Sequence, residues 1–251
     1  MGAWRARPAT VGILLTFGIV AATASCKPRQ GTPNDAYLDP RISAETWDRL
    51  FRAEGRELYD RRELVMSMVA VRPGMAVADV GAGTGLFTMI LSDAVGPQGR
   101  VYAEEVIDRF SHYVAERAVR EGRANVVSVV GTEHSVGLPP ESIDLAFLCD
   151  VYHHFAFPAE MLASIRTALR SDGQVFLVEF RREPGQSAPW VFEHVRANEG
   201  TVLREFVAAG FVAGSRDDRL RDSYVWTFRR ASRAKLPEAA RPAASEARDA
   251  L

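Results

Sequence analysis

Three glycines follow a short apolar run in the segment Val77-Ala78-Asp79-Val80-Gly81-Ala82-Gly83-Thr84-Gly85-Leu86, and a carboxylate stands two residues before the first of them. Glycine lets a backbone adopt positive φ and lets a ligand press against the main chain, so this turn is a candidate binding element. Its spacing selects among ligands. A pyrophosphate cradle of the dinucleotide type needs G-x-G-x-x-G, whereas this chain has G-x-G-x-G followed by Leu86 and Phe87. No G-x-x-x-x-G-K-[ST] occurs, which excludes a phosphate-binding P-loop. The second chemically rich stretch is Cys149-Asp150-Val151-Tyr152-His153-His154-Phe155. Two histidines and a carboxylate invite a metal reading. Adjacent His153 and His154 on a turn are expected to point in different directions, however, and no second ligand cluster is evident, so no metal is expected. Histidine titrates in the range useful for taking a proton from a nucleophile, which makes His153 a candidate base. For His154 two readings stand side by side, a pocket-shaping group and a packed, hydrogen-bonded one.

These groups need a scaffold, and the apolar patterning supplies one. Strands are expected at 76–80, 100–104, 125–130, 143–148, 174–180, 211–215 and 223–228, and helices at 85–95, 108–122, 159–169 and 200–209. Short continuous apolar strands alternating with helices argue for a parallel sheet covered on both faces. The last two strands are close enough for a hairpin, giving one reversed strand near the edge. Between residues 43 and 71, Trp47, Leu50, Phe51, Leu58, Val65, Met68 and Val69 recur at helical spacing, so one or two amphipathic helices broken near Gly55 or Tyr59 are expected. In an open parallel sheet, ligands sit outside the carboxyl ends of the strands. That rule gathers Gly81, Glu105, Thr132, Cys149, Asp150, Phe180 and Arg181 along one rim.

The stretch D-V-G-A-G-T-G after an apolar strand resembles the first motif of class I S-adenosylmethionine-dependent methyltransferases, and the likeness extends through V-Y-A-E-E-V, F-L-C-D-V-Y-H-H-F and the closing strand pair. The resemblance implies a Rossmann-like, doubly wound, seven-stranded mostly parallel sheet with an antiparallel last strand, in three α/β/α layers. It also implies S-adenosylmethionine as cofactor. Asp79 and the backbone of Gly81, Ala82, Gly83 and Gly85 would then hold the amino-acid head. Glu105 aligns with the acid that grips the ribose diol, and a carboxylate there accepts two charge-assisted hydrogen bonds; the neighbouring Glu104 is the alternative. Thr132 stands where relatives carry an aspartate beside the adenine amino group, so that contact falls to Glu133 or to a backbone group. Asp150 would border the cofactor, with Tyr152 and His154 shaping the pocket. Glu179 and Arg181 would either read a charged substrate or pair with each other.

Lys+Arg 31 against Asp+Glu 32 leaves no cationic excess for a nucleic-acid partner. The first residues, with Arg5, Arg7, an apolar run from Val11 to Ala22, and Thr23-Ala24-Ser25-Cys26, have the layout of an export signal and resemble a bacterial lipoprotein signal with Cys26 lipidated. The expected organisation is a signal peptide over 1–25, a flexible tether over 26–42, the methyltransferase-like domain over 43–230 and a disordered tail over 231–251. Export to a membrane anchor or the periplasm follows, or a cytoplasmic place if the start codon lies further downstream. The functional expectation is methyl transfer to a small-molecule acceptor. A non-catalytic exported binding protein on the same fold is the alternative, and a nicotinamide oxidoreductase ranks third on glycine spacing.

Overall fold

The apolar runs form strands in a computed structural model that describes residues 34–231. They are β1 (Ala76–Val80), β2 (Arg100–Glu105), β3 (Val126–Val130), β4 (Ile143–Cys149), β5 (Leu169–Phe180), β6 (Phe211–Asp217) and β7 (Ser223–Arg230). One sheet contains them all, in the order β3-β2-β1-β4-β5-β7-β6. β1 pairs in parallel with both β2 and β4, while β7 runs antiparallel to β5 and β6. The expected seven-stranded Rossmann-like α/β sheet with a reversed last strand is therefore the observed fold. The helices are α1 (Asp35–Leu38), α2 (Ala44–Phe51), α3 (Glu57–Asp60), α4 (Arg62–Met68), α5 (Leu86–Val95), α6 (Asp108–Arg120), α7 (Pro158–Ala168), α8 (Pro189–His194) and α9 (Glu199–Ala208), with a 3-10 turn at Tyr152–His154.

Strand alternation sorts the core into two layers. Ala78, Val80, Ala146, Leu148 and Leu177 face one side, where Leu162 and Ile165 of α7 and Val202 and Phe206 of α9 cover them. Val77, Leu145, Phe147, Phe176 and Val178 face the other, against Val65 of α4 and Leu91 and Val95 of α5. Each fully buried Val, Leu, Ile or Phe among them contributes roughly 1.5–3 kcal/mol, so the strand ends are held on a stiff platform. Local signals start and stop the helices. Ser43 Oγ accepts the Thr46 amide at the head of α2, and Asn198 Oδ1 accepts the Thr201 amide at the head of α9. Pro158 opens α7 and Gly96 ends α5.

Three expectations change. Residues 34–42, expected within a tether, contain α1, whose Tyr37 packs edge-on against Trp47 at 4.8 Å, because its ring has an apolar partner to bury against. The segment 43–71 holds three helices rather than one or two, broken both before α3 and at Arg61. α8 was not foreseen: Pro189–His194 is too short to show helical periodicity. The signal segment, Cys26 and nearly all of the expected tail lie outside the described residues. Among the described residues, no helix is long and apolar enough to cross a membrane.

Candidate functional site

The chain turns to opposite sides of β1 to form β2 and β4, and the reversal leaves a crevice beyond their carboxyl ends. A cleft open to solvent occupies it, a concave site of the kind in which small molecules bind. Its first wall is made by backbone. Gly81 takes φ +66°, and a Cβ there would lie 2.1 Å from Val151 Cγ2, so only glycine lets the turn after β1 pass under the loop after β4. Glu105 Oε2 accepts the Gly83 amide at 2.8 Å and its Oε1 accepts the Ile107 amide at 2.8 Å. Each oxygen retains acceptor capacity toward the cleft. Glu104 points to the other side of the sheet, as alternation requires, and its Oε2 accepts the Gly81 amide at 3.2 Å. Its Oε1 is buried without a partner, and a Cβ on Gly131 would sit 1.7 Å from it. Thr88 Oγ1 donates to Asp79 Oδ2 at 2.6 Å.

Crowding these acids together out of water has an electrostatic cost. Burial, with Glu105 adding to it, pushes Asp79 up to about 7 despite the Thr88 hydrogen bond. Burial and the neighbouring Glu105 push Glu104 up to about 8. Burial also raises Glu105, against the opposing amides of Ile107 and Gly83. With Glu133 and Asp150, five carboxylates line the cleft alongside Arg56. Such a wall favours a cation.

The opposite wall is made by side chains from distant parts of the chain. Arg56, just before α3, pairs with Asp150 after β4, where Asp150 takes the strained φ of +59°. Tyr37 meets the His154 ring edge-on at 5.3 Å, and Phe51 stacks on Trp47 at 5.7 Å. Asp48 of α2 accepts from Thr84 Oγ1 at 2.9 Å, while buried Arg117 of α6 donates to the Thr84 and Gly85 carbonyls at 3.1 and 3.3 Å. α2 and α6 thereby clamp the glycine turn. Asn34, Tyr37, Phe51, Arg56, Asp48 and Arg117 carry no motif, and only their neighbours in space give them a role.

Of the residues singled out in the sequence, Asp79, Gly81, Ala82, Gly83, Glu104, Glu105, Glu133, Asp150 and His154 line the cleft. Gly85, left-handed at φ +82°, caps α5 behind it. Thr132 does not line it: its hydroxyl accepts the amides of His134 and Ser135 in an exposed turn. Tyr152 is not a cleft residue either, because its ring is buried and its hydroxyl donates to Glu205 at 2.6 Å. His153 is 3% exposed and donates through Nδ1 to Glu179 at 2.9 Å. Burial opposes its protonation, yet the Glu179 carboxylate outweighs this and holds the imidazole above its ordinary value. Glu179 is thus committed to His153, and Arg181 pairs with Asp218 at 2.7 Å, so they neither pair with each other nor face the cleft. Burial, with His153 and His194 nearby, lowers His154 to about 2, so its ring is neutral. The expectation that the two histidines point apart fails: the 3-10 turn sets their rings 4.1 Å apart.

Known proteins share parts of this sequence and its fold. Residues 78–177 match a family described as a methyltransferase domain. A protein-L-isoaspartate O-methyltransferase of Aeropyrum pernix is 40% identical over 75 residues, covering 30% of this chain and 29% of that protein. A ubiquinone/menaquinone biosynthesis C-methyltransferase of Cupriavidus pinatubonensis is 25% identical over 112 residues, covering 45% of this chain and 46% of that protein. The chain thus spans less than half the length of these two curated relatives. The solved structure of an S-adenosylmethionine-dependent methyltransferase from Aquifex aeolicus superposes with TM-score 0.66 at 24% identity, over 74% of this chain and 97% of that one. The fold is shared with that enzyme.

Proposed function

We propose that this protein is an S-adenosylmethionine-dependent methyltransferase acting on a small-molecule acceptor. The observation that carries the reading is the acidic wall at the carboxyl ends of β1 and β2. There Asp79, Glu104 and Glu105 stand beside a turn that admits no Cβ at Gly81, and one buried Glu104 oxygen lacks a partner. Adenosylmethionine carries a sulfonium, an ammonium and a ribose diol, and these are cations and donors such a wall can satisfy. A pyrophosphate would be repelled by it, which disfavours a nicotinamide dinucleotide.

Glu105 is the ribose acceptor in this reading, because its carboxylate is fixed by two amides and keeps lone pairs for the diol. Glu104 and Asp79 lie deeper and lower the energy of a bound ammonium or sulfonium. Glu133 lines the cleft and Thr132 does not, which supports Glu133 as the residue that meets the adenine edge. When bound, the cofactor supplies an electrophilic methyl group. The chain's contribution is alignment and exclusion of water, which in-line displacement needs more than a strong acid. Tyr37, Phe51 and His154 supply that cover on the acceptor side. His154 is neutral and a poor proton acceptor, so it serves there as a wall and hydrogen-bonding group.

Calorimetric titration of the full chain with adenosylmethionine, adenosylhomocysteine and NAD tests this. Both sulfur ligands are expected to bind and NAD is not. Failure of both sulfur ligands overturns the proposal, while binding without methyl transfer to any component of a metabolite extract favours a non-catalytic binding protein. Export through the N-terminal segment with lipidation at Cys26 is a separate proposal carried by the sequence. Palmitate labelling is expected in the full chain and absent from Cys26→Ser.

A further inference from the structure

Three of the chain's five histidines converge on one point at the edge of the cleft. His153 and His154 come from the 3-10 turn after β4, and His194 is the last residue of α8. The His153 and His194 rings are 4.9 Å apart and the His154 and His194 rings 5.0 Å apart. One ring nitrogen from each of the three lies within 4.8 Å of the others. We infer that His153, His154 and His194 form a binding site for one divalent transition-metal ion.

Two features separate this cluster from three rings that merely pack. The first is the tautomer. Nδ1 of His153 donates to Glu179, which also accepts the His153 amide at 3.1 Å, so the ring is fixed and its Nε2 is left as a lone-pair donor. A buried carboxylate behind a ligating imidazole is the arrangement that orients such ligands and raises their basicity. Glu179 is 1% exposed and is itself held by the Phe180 amide, which it accepts at 2.6 Å. The second is an orphan: Nδ1 of His154 is buried without a hydrogen-bond partner. A buried imidazole nitrogen left unpaired is costly, and coordination would satisfy it.

The donor set defines the ion. Three imidazoles suit zinc, copper, nickel or cobalt and are poor ligands for magnesium or calcium. Three protein ligands also leave a coordination position open, as in zinc sites that bind water or substrate. His154 lines the cleft, so an ion held here stands at the wall of the acceptor side. The inference concerns the histidines alone and holds whether or not the cleft takes adenosylmethionine.

The test uses untagged full-length protein stripped with a chelator. Added Co²⁺ is expected to give visible absorption that saturates at one equivalent per chain and is displaced by Zn²⁺. His194→Ala, a change at a half-exposed helix end that spares the core, is expected to abolish the one-equivalent step. Glu179→Gln is expected to weaken it by about 10–100-fold. His134→Ala, at an exposed ring that stacks on Phe157 and bonds Glu160 outside the cluster, should leave it unchanged. Absence of a stoichiometric step in the parent protein, or a step that survives His194→Ala, would show that the rings only pack. Titrating adenosylmethionine into the same samples reads the cofactor proposal separately, since each ligand can bind or fail to bind independently of the other.

Discussion

The two walls of the cleft are built by opposite means. The β1–β2 wall is backbone: amides of Gly81, Gly83 and Ile107 held by two adjacent carboxylates at the ends of paired strands. The wall facing it is side chain on side chain, with Arg56 reaching Asp150 and Tyr37 reaching His154 from far away in sequence. The first can change only if the sheet changes, whereas the second can repack or part with little effect on the fold. A site divided this way would fix one ligand rigidly and adapt to another.

The contrast is broken most directly at Gly81. Gly81→Ala forces a Cβ into Val151 and a side chain into positive φ, and is expected to destabilise the fold by about 1–3 kcal/mol and to remove measurable adenosylmethionine binding. Thermal unfolding and calorimetry read both. If neither moves, the first wall is not set by backbone geometry. Next in size is Glu105→Gln, expected to weaken cofactor affinity by about 1.5–3 kcal/mol, the scale of hydrogen bonds to a charged group. A larger loss in Glu104→Gln than in Glu105→Gln would transfer the diol to Glu104.

Legibility in sequence divides along the same line. The strands, the glycine turn and the pair Glu104-Glu105 could be read because short continuous apolar runs and glycine spacing are local properties of the chain. The second wall is absent from any such pattern. Asn34 reaches the His154 carbonyl across 120 positions, and Arg56 reaches Asp150 across 94, so nothing local marks them. Thr132 shows the reverse failure. The family resemblance put it beside the adenine, but a hydroxyl satisfies nearby amides more cheaply than it reaches a distant ligand, and here it caps its own turn. His194 was unreadable for a third reason: it belongs to a six-residue helix.

On the adaptable wall, Arg56→Ala is expected to cost about 1 kcal/mol of stability, the scale of a partly exposed ion pair, with cofactor affinity nearly unchanged and the effect falling on acceptor binding. Loss of cofactor binding comparable to that in Gly81→Ala would erase the distinction between the walls.

The smallest expected signal is a proton count, and it examines the acidic wall without any mutation. Glu104 titrates near 8 in the folded protein, while in the unfolded chain it returns to the ordinary carboxylate range near 4.5. Between these values the folded state holds a proton that the unfolded state has released, so stability falls as pH rises through this window and levels off above about 8. Asp79, pushed up to about 7, adds to the fall over the lower part of the window. The ligand-free protein should therefore melt at lower temperature at pH 8 than at pH 5, and Glu104→Gln should flatten that slope. A bound cation reverses the balance, because positive charge beside these carboxylates favours their ionised forms. Adenosylmethionine, which carries one more positive charge than adenosylhomocysteine, should release a larger fraction of a proton on binding at pH 7. Calorimetry in buffers of different ionisation enthalpy measures that fraction. Equal release by the two ligands would mean that the sulfonium does not sit against Asp79 and Glu104, leaving Glu105 and the glycine amides as the only fixed contacts of the rigid wall.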